Sequence, residues 1–316
     1  MPTSSDAPLL LQTLRLDPAA HPRGQPHLSA ASGLVRVGQR LYVVADDELH
    51  LGVFEDIAAT GGKPVNGTLL RLLEGELPQD KGKRKKAKPD FESLALLPPL
   101  PGCPAGALLA LGSGSKPQRH AAVLLALDAH GVPNGRSALV DLEALYVPLH
   151  KEFADLNIEG AWVASGELLL LQRGNKGNAR NACIRYDWNQ VAPWLSGQRA
   201  EPPAAKSVQT IALGEVDGVP LGLTDGAALP GGEWVFSAVA EDTDDSVQDG
   251  ACVASAVGIV GPDGLVRRMQ RLHGAPKVEG IVVQAEGDDW VLTLVTDPDD
   301  PQVAARVLQL RIKKSR

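Results

Sequence analysis

One phrase of polar and apolar residues recurs along the chain. A polar or acidic residue and a small one lead a short apolar run; a tight turn follows, and a second apolar run ends in polar groups. Its clearest copy is Asn157-Ile158-Glu159-Gly160-Ala161-Trp162-Val163, followed by Glu167-Leu168-Leu169-Leu170-Leu171-Gln172-Arg173. Phe91-Glu92-Ser93-Leu94 leads to Leu108–Ser113, Thr224-Asp225-Gly226-Ala227 to Trp234–Ser237, and Val278-Glu279-Gly280-Ile281 to Trp290–Leu294. A weaker copy, Ala31-Ser32-Gly33-Leu34, leads to Leu41–Asp46. Short apolar runs bounded by glycine and turn residues read as strands.

The repeated positions Ser32, Glu92, Glu159, Asp225 and Glu279 stand 60, 67, 66 and 54 residues apart. Self-similarity on that scale is the signature of a repeat architecture. Four strands can be counted after each of the first four positions. They are 33–37, 40–45, 48–54 and 67–73; then 93–97, 106–111, 121–128 and 137–141. The third set is 161–164, 167–172, 182–186 and 207–213, and the fourth is 226–229, 233–238, 252–260 and 264–272. After Glu279 only 281–285, 289–295 and 306–312 follow, and the apolar stretch Leu9–Leu16 supplies the missing strand. The expected fold is all-β, a five-bladed β-propeller whose last blade is closed by the N-terminal strand. A six-bladed ring needs a further divergent blade, and an open sandwich gives no reason for the acidic phrase to recur. The whole chain, 1–316, reads as a single propeller domain.

Helical pattern is thin. Asp141–Phe153 predicts a short helix broken at Pro148, and Asn189–Leu195 another. Residues 78–90 carry Lys81, Lys83, Arg84, Lys85, Lys86 and Lys88 with almost nothing apolar, which predicts a solvated basic loop between the first two blades. With 33 Gly and 24 Pro the composition favours many short elements joined by turns. A net charge of −7 argues against a nucleic-acid surface. No apolar run is long enough to span a membrane, and the N-terminus lacks a signal-peptide pattern, so a cytoplasmic protein is expected. Ring closure leaves no free sheet edge, so a monomer is expected too. The three cysteines are far apart, which argues against a zinc site or a disulfide framework.

In a propeller blade the first strand lies nearest the axis and the second runs antiparallel to it. The starts of first strands and the ends of second strands therefore share one rim of the central channel. That rim gathers Ser32, Glu92, Glu159, Asp225 and Glu279 with Asp46, Asp47, Ser113, Ser115, Lys116, Arg119, Gln172, Arg173, Asn175, Glu241, Asp242, Thr296 and Asp297. Carboxylates crowded on a narrow axis raise one another's pKa values unless something neutralises them. The candidates are Arg119 and Arg173, a hard cation (calcium before magnesium) on an all-oxygen ligand set, or backbone amides capped by the acids.

The phrases "Ser32-Gly33-Leu34 … Leu41-Tyr42-Val43-Val44-Ala45-Asp46", Phe91-Glu92-Ser93-Leu94-Ala95 and Asn157-Ile158-Glu159-Gly160-Ala161 resemble the esterase-like phytase and SdiA-regulated group of bacterial β-propellers. Ser32, where an acid could stand, and Ser93, where glycine follows the acid, depart from that pattern. The resemblance implies calcium association and hydrolysis of phosphate or other esters, with Asp46, Glu92, Glu159, Asp225 and Glu279 as metal ligands. A metal-assisted hydrolase of a small anionic ester would then use Glu159 or Glu92 as general base. Arg119 and Arg173 would clamp the anion, with Lys116, Gln172 and Asn175 beside them. The alternative is a non-catalytic propeller that binds a ligand or a protein at the same rim.

Overall fold

The computed structural model describes residues 7–57, 60–244 and 250–314. Alternating burial and the turn residues between runs give five antiparallel sheets in chain order. The N-terminal strand β1 is Leu9–Thr13. Sheet one holds β2 (Ala31–Val37), β3 (Arg40–Ala45), β4 (His50–Glu55) and β5 (Thr68–Arg71). A helix, α1 (Lys81–Ala87), leads to sheet two: β6 (Phe91–Leu97), β7 (Ala107–Gly112), β8 (Ala121–Leu127) and β9 (Pro133–Asp141). Helix α2 (Glu143–Glu152) precedes sheet three, formed by β10 (Ile158–Ala164), β11 (Glu167–Gln172), β12 (Asn181–Asp187) and, after α3 (Trp188–Leu195), β13 (Ser207–Ile211). Sheet four adds a two-residue strand β14 (Glu215–Val216) to β15 (Val219–Ala228), β16 (Trp234–Glu241), β17 (Cys252–Val260) and β18 (Val266–Arg271). Sheet five runs β19 (Val278–Glu286), β20 (Asp289–Thr296) and β21 (Arg306–Lys313), and β1 pairs antiparallel with β21 to complete it. The protein is a five-bladed β-propeller.

Ring closure is visible in the core. Five separate apolar clusters form, and each is shared by two adjacent blades, including one between blades five and one around Leu14, Leu34, Val295 and Val307. The innermost strands β2, β6, β10, β15 and β19 neighbour one another around the axis. Close approach there requires small residues: a Cβ on Gly33 would lie 2.7 Å from the Leu94 backbone nitrogen, and one on Gly280 3.0 Å from that of Leu34.

Two expected elements differ. Helix α2 runs straight through Pro148 instead of breaking there. The basic loop expected at 78–90 contains helix α1, which is held by a cap and a buried arginine. Asp80 caps the helix by accepting a hydrogen bond from the Lys83 amide at 2.8 Å. Arg84 turns inward, is 6% exposed, and donates to the carbonyls of Pro78 and Gln79. Among the described residues no helix is long and apolar enough to cross a membrane, and Cys103, Cys183 and Cys252 are free thiols.

Candidate functional site: a charged channel mouth

Local backbone geometry presents the site residues. In blades one, two, three and five the register between the first two strands skips one residue, a β-bulge, and the skipped residues are Ser32, Glu92, Glu159 and Glu279. A bulge leaves its extra residue unpaired and re-aims its side chain. Here it turns these side chains toward the axis, where all four line one cavity of about 70 Å³.

Blade four is offset by one. Its skipped residue is Thr224, and Asp225 occupies the position that Gly33, Ser93, Gly160 and Gly280 hold elsewhere. Asp225 therefore does not join the mouth. Its carboxylate accepts hydrogen bonds from the Gly226 amide at 2.7 Å and the Ile281 amide at 2.9 Å, which ties blade four to blade five. Burial nevertheless raises its pKa well above the usual range, against the pull of those two amides. It borders a more apolar cavity of about 320 Å³ at the other end of the channel, lined by Leu94, Trp162 and Ile281 among others.

The mouth divides into two charged groups. In the first, Lys88 forms ion pairs with Asp46 and, at 2.8 Å, with Asp90. Arg119 pairs with Asp90 at 2.7 Å and donates to the Ser115 hydroxyl at 2.7 Å, while the Ser113 hydroxyl donates to Asp90 at 2.6 Å. Ligand oxygens of Asp46, Asp90 and Glu92 lie within 4.8 Å of one another. In the second group Arg173 reaches Glu241 at 2.5 Å, Glu159 at 3.3 Å and Glu279 at 3.6 Å. Lys277 pairs with Asp299 at 2.6 Å and Glu279 at 3.6 Å, and Asn157 donates to Glu159 at 2.6 Å.

Of the residues expected from sequence, Asp46, Glu92, Glu159, Glu279, Arg119, Arg173 and Asn175 line this cavity. Lys116 and Gln172 do not. Gln172 is turned into the backbone, accepting from the Asn157 amide at 2.8 Å and donating to the Asp155 carbonyl at 3.0 Å. Lys116 sits just before a short 3₁₀ turn, Pro117–Arg119, and is only half-buried. Sequence reasoning missed Lys88, Asp90 and Lys277. A positional signal for two of them was present: Asp90, Asn157 and Lys277 each stand two residues before a bulged acid, just ahead of the first strand of their blade.

Seven carboxylates and five cationic side chains line the cavity, a formal balance of −2. The consequence appears in the titration of the acids. Burial first, then Asp90, Glu159 and Asp46, pushes Glu92 well above the usual carboxylate range against the pull of Lys88. Burial raises Glu159 and Glu279 as well, although Arg173 and Lys277 oppose it. Burial carries Asp297 to about 8 despite Lys277. Among the described residues the buried Oε2 of Glu279 has no hydrogen-bond partner. Burial works to lower Lys88, yet Asp46, Asp90 and Glu92 hold it well above the usual lysine value.

The resemblance noted above implies calcium, which needs six to eight oxygen ligands at about 2.3–2.6 Å. Two of the three clustered carboxylates already receive the Lys88 ammonium. As arranged, the cluster fits an ammonium and not a divalent ion.

Fold and mouth together define a β-propeller with a charged, carboxylate-rich channel entrance. The chain belongs to a family of unknown function, DUF6910, whose pattern matches residues 84–301. That span begins inside α1, takes in Lys88 and the bulged acids of blades two, three and five, and omits blade one. No curated protein matches the chain in sequence. Similar solved structures include Myxococcus xanthus glutaminyl cyclase, at 11% identity over 97% of this chain and 98% of that one with a TM-score of 0.47. A candidate gluconolactonase aligns at 13% identity over 99% and 96%, with a TM-score of 0.44. Kuenenia stuttgartiensis hydrazine synthase aligns at 11% identity over 92% of this chain but only 65% of its own length, with a TM-score of 0.41.

Proposed function

We propose that the channel mouth is a hydrolytic site for a small polar ester, with Glu92 as the general base. The supporting observation is the state of Glu92. It lines the cavity, it enters no hydrogen bond or ion pair among the described residues, and its surroundings make it unusually basic for a carboxylate. A base works best when its pKa lies near the working pH. Glu92 would take a proton from a water as that water attacks the ester carbonyl. The negative charge that develops on the carbonyl oxygen would face Lys88, whose ammonium has three donors and two carboxylate partners. Collapse of the tetrahedral intermediate breaks the bond to the leaving alkoxide, which takes the proton back from Glu92. Glu159, held by Asn157 and Arg173, sustains the raised basicity of Glu92 by charge repulsion.

The resemblance to esterase-like phytase propellers supports hydrolysis. An anionic substrate fits less well, since Arg119 and Arg173 are already engaged by carboxylates and the lining is negative in balance. An uncharged ester or lactone suits the mouth better. The test is a panel of p-nitrophenyl esters, lactones and phosphomonoesters with the wild type and Glu92→Gln. Loss of about 10²–10⁴-fold in kcat/KM for one ester class, with the fold retained, is expected; equal turnover by the variant would refute the assignment. The formal excess of two negative charges favours a second reading, a non-catalytic propeller that takes a cationic ligand. Thermal stabilisation by alkylamines, with no turnover anywhere on the panel, would select it.

A further inference from the structure

We propose that Lys88 is a built-in cation: its ammonium takes the place of a divalent metal in the Asp46–Asp90–Glu92 cluster, so the site operates without metal and becomes a calcium site when that ammonium is removed. Three carboxylates whose oxygens lie within 4.8 Å of one another repel strongly, and such a cluster persists only around positive charge. Lys88 supplies it from between two of them, hydrogen-bonded to Asp46 and 2.8 Å from Asp90, and Arg119 adds a second charge 2.7 Å from Asp90.

The lysine is delivered, not merely nearby. It is the residue that ends helix α1, and its amide donates to the Arg84 carbonyl at 2.8 Å. Arg84 in turn anchors the helix to blade one through Asp47 at 3.1 Å. The backbone of Lys88 is therefore held in place by contacts other than those its ammonium makes with the cluster. Only 7% of Lys88 is exposed. A charge so buried is costly unless paired, and removing one partner of such a pair leaves the others uncompensated. The chemistry also differs from that of a metal site. An ammonium is a single positive charge with three donors; it satisfies Asp46 and Asp90 and leaves Glu92 available. Calcium would recruit all three carboxylates as ligands.

The proposal stands whether or not the mouth hydrolyses esters, because its readout is thermal and spectroscopic. The full chain is melted with 1 mM EDTA and with 10 mM calcium chloride, and terbium luminescence is titrated on the wild type, Lys88→Met and Lys88→Ala. The wild type is expected to show no calcium shift. The variants are expected to melt lower in EDTA and to recover with calcium. A dissociation constant 100-fold below the calcium concentration would raise the folding equilibrium of a variant about 100-fold. A variant that folds only when calcium is present supports the proposal equally. It is overturned if the wild type binds calcium in a way that Glu92→Gln abolishes, or if neither variant gains stability or terbium signal.

Discussion

Arg173→Met is the most informative perturbation of the mouth. Its guanidinium is the common partner of Glu159, Glu241 and Glu279, at 3.3, 2.5 and 3.6 Å, and only 12% of the side chain is exposed. Methionine keeps much of the volume and removes the charge. Breaking a buried pair by deleting one partner costs about 3–5 kcal/mol, because the remaining charges stay buried without compensation. For a chain of this length each kcal/mol moves the melting temperature by roughly 2 °C, so a drop of about 6–10 °C is expected at pH 8. The pH dependence supplies the sharper check. Glu159 and Glu279 already have raised pKa values in the folded state. Without Arg173 they rise further, so their ionisation costs stability above the unfolded-state pKa near 4.5 and costs nothing well below it. The deficit should therefore shrink as the pH falls from 8 to 5. Circular-dichroism melts at four pH values decide the matter. A drop under about 2 °C at pH 8, or a deficit that grows on acidification, would refute the account of Arg173 as the shared counter-charge.

The wild type itself should lose stability as the pH rises. Burial raises Asp297 to about 8 and Asp47 to about 6 from a usual 3.8, so the unfolded chain releases these protons first. Each then contributes a decline of at most ~1.4 kcal/mol per pH unit between about 4 and its folded value. Lys88 and Lys277, both raised, lose their contribution only at more alkaline pH and leave that window unaffected. Asp297→Asn should flatten the decline between pH 6 and 8 in urea unfolding; an unchanged slope would exclude Asp297 as its source. Gly226→Ala tests the crowding of the axis. The added methyl would sit 2.8 Å from the Trp162 ring, and a cost of about 1–3 kcal/mol is expected, read from the urea midpoint.

The blades were legible in the sequence because each carries its own strand pattern and the repeated phrase marks its first strand. The closing strand was legible by default, since Leu9–Leu16 was the one apolar stretch left over. The mouth was only partly legible. Which side chain faces the axis depends on a bulge, and a bulge shifts the face by a single residue; that is why Asp225 looked equivalent to Glu159 while Thr224 holds the matching position. The basic run at 78–90 misled for a different reason. Counting charges cannot distinguish Lys83, which meets solvent, from Lys88, which meets two carboxylates. Pairing in space, not composition, makes the difference.

The pairing of β1 with β21 has a consequence for how the protein is made. The two strands lie almost three hundred residues apart in sequence, so β1 leaves the ribosome long before its partner exists. At about 5–20 residues per second that interval is on the order of 15–60 s. Throughout it the edge of β1, with Leu9 and Leu10 more than half exposed even in the finished fold, has no native neighbour, and the cluster around Leu14 lacks Val295 and Val307. The ring can shut only once β21 has been made, so β1 stays an unpaired sheet edge until then.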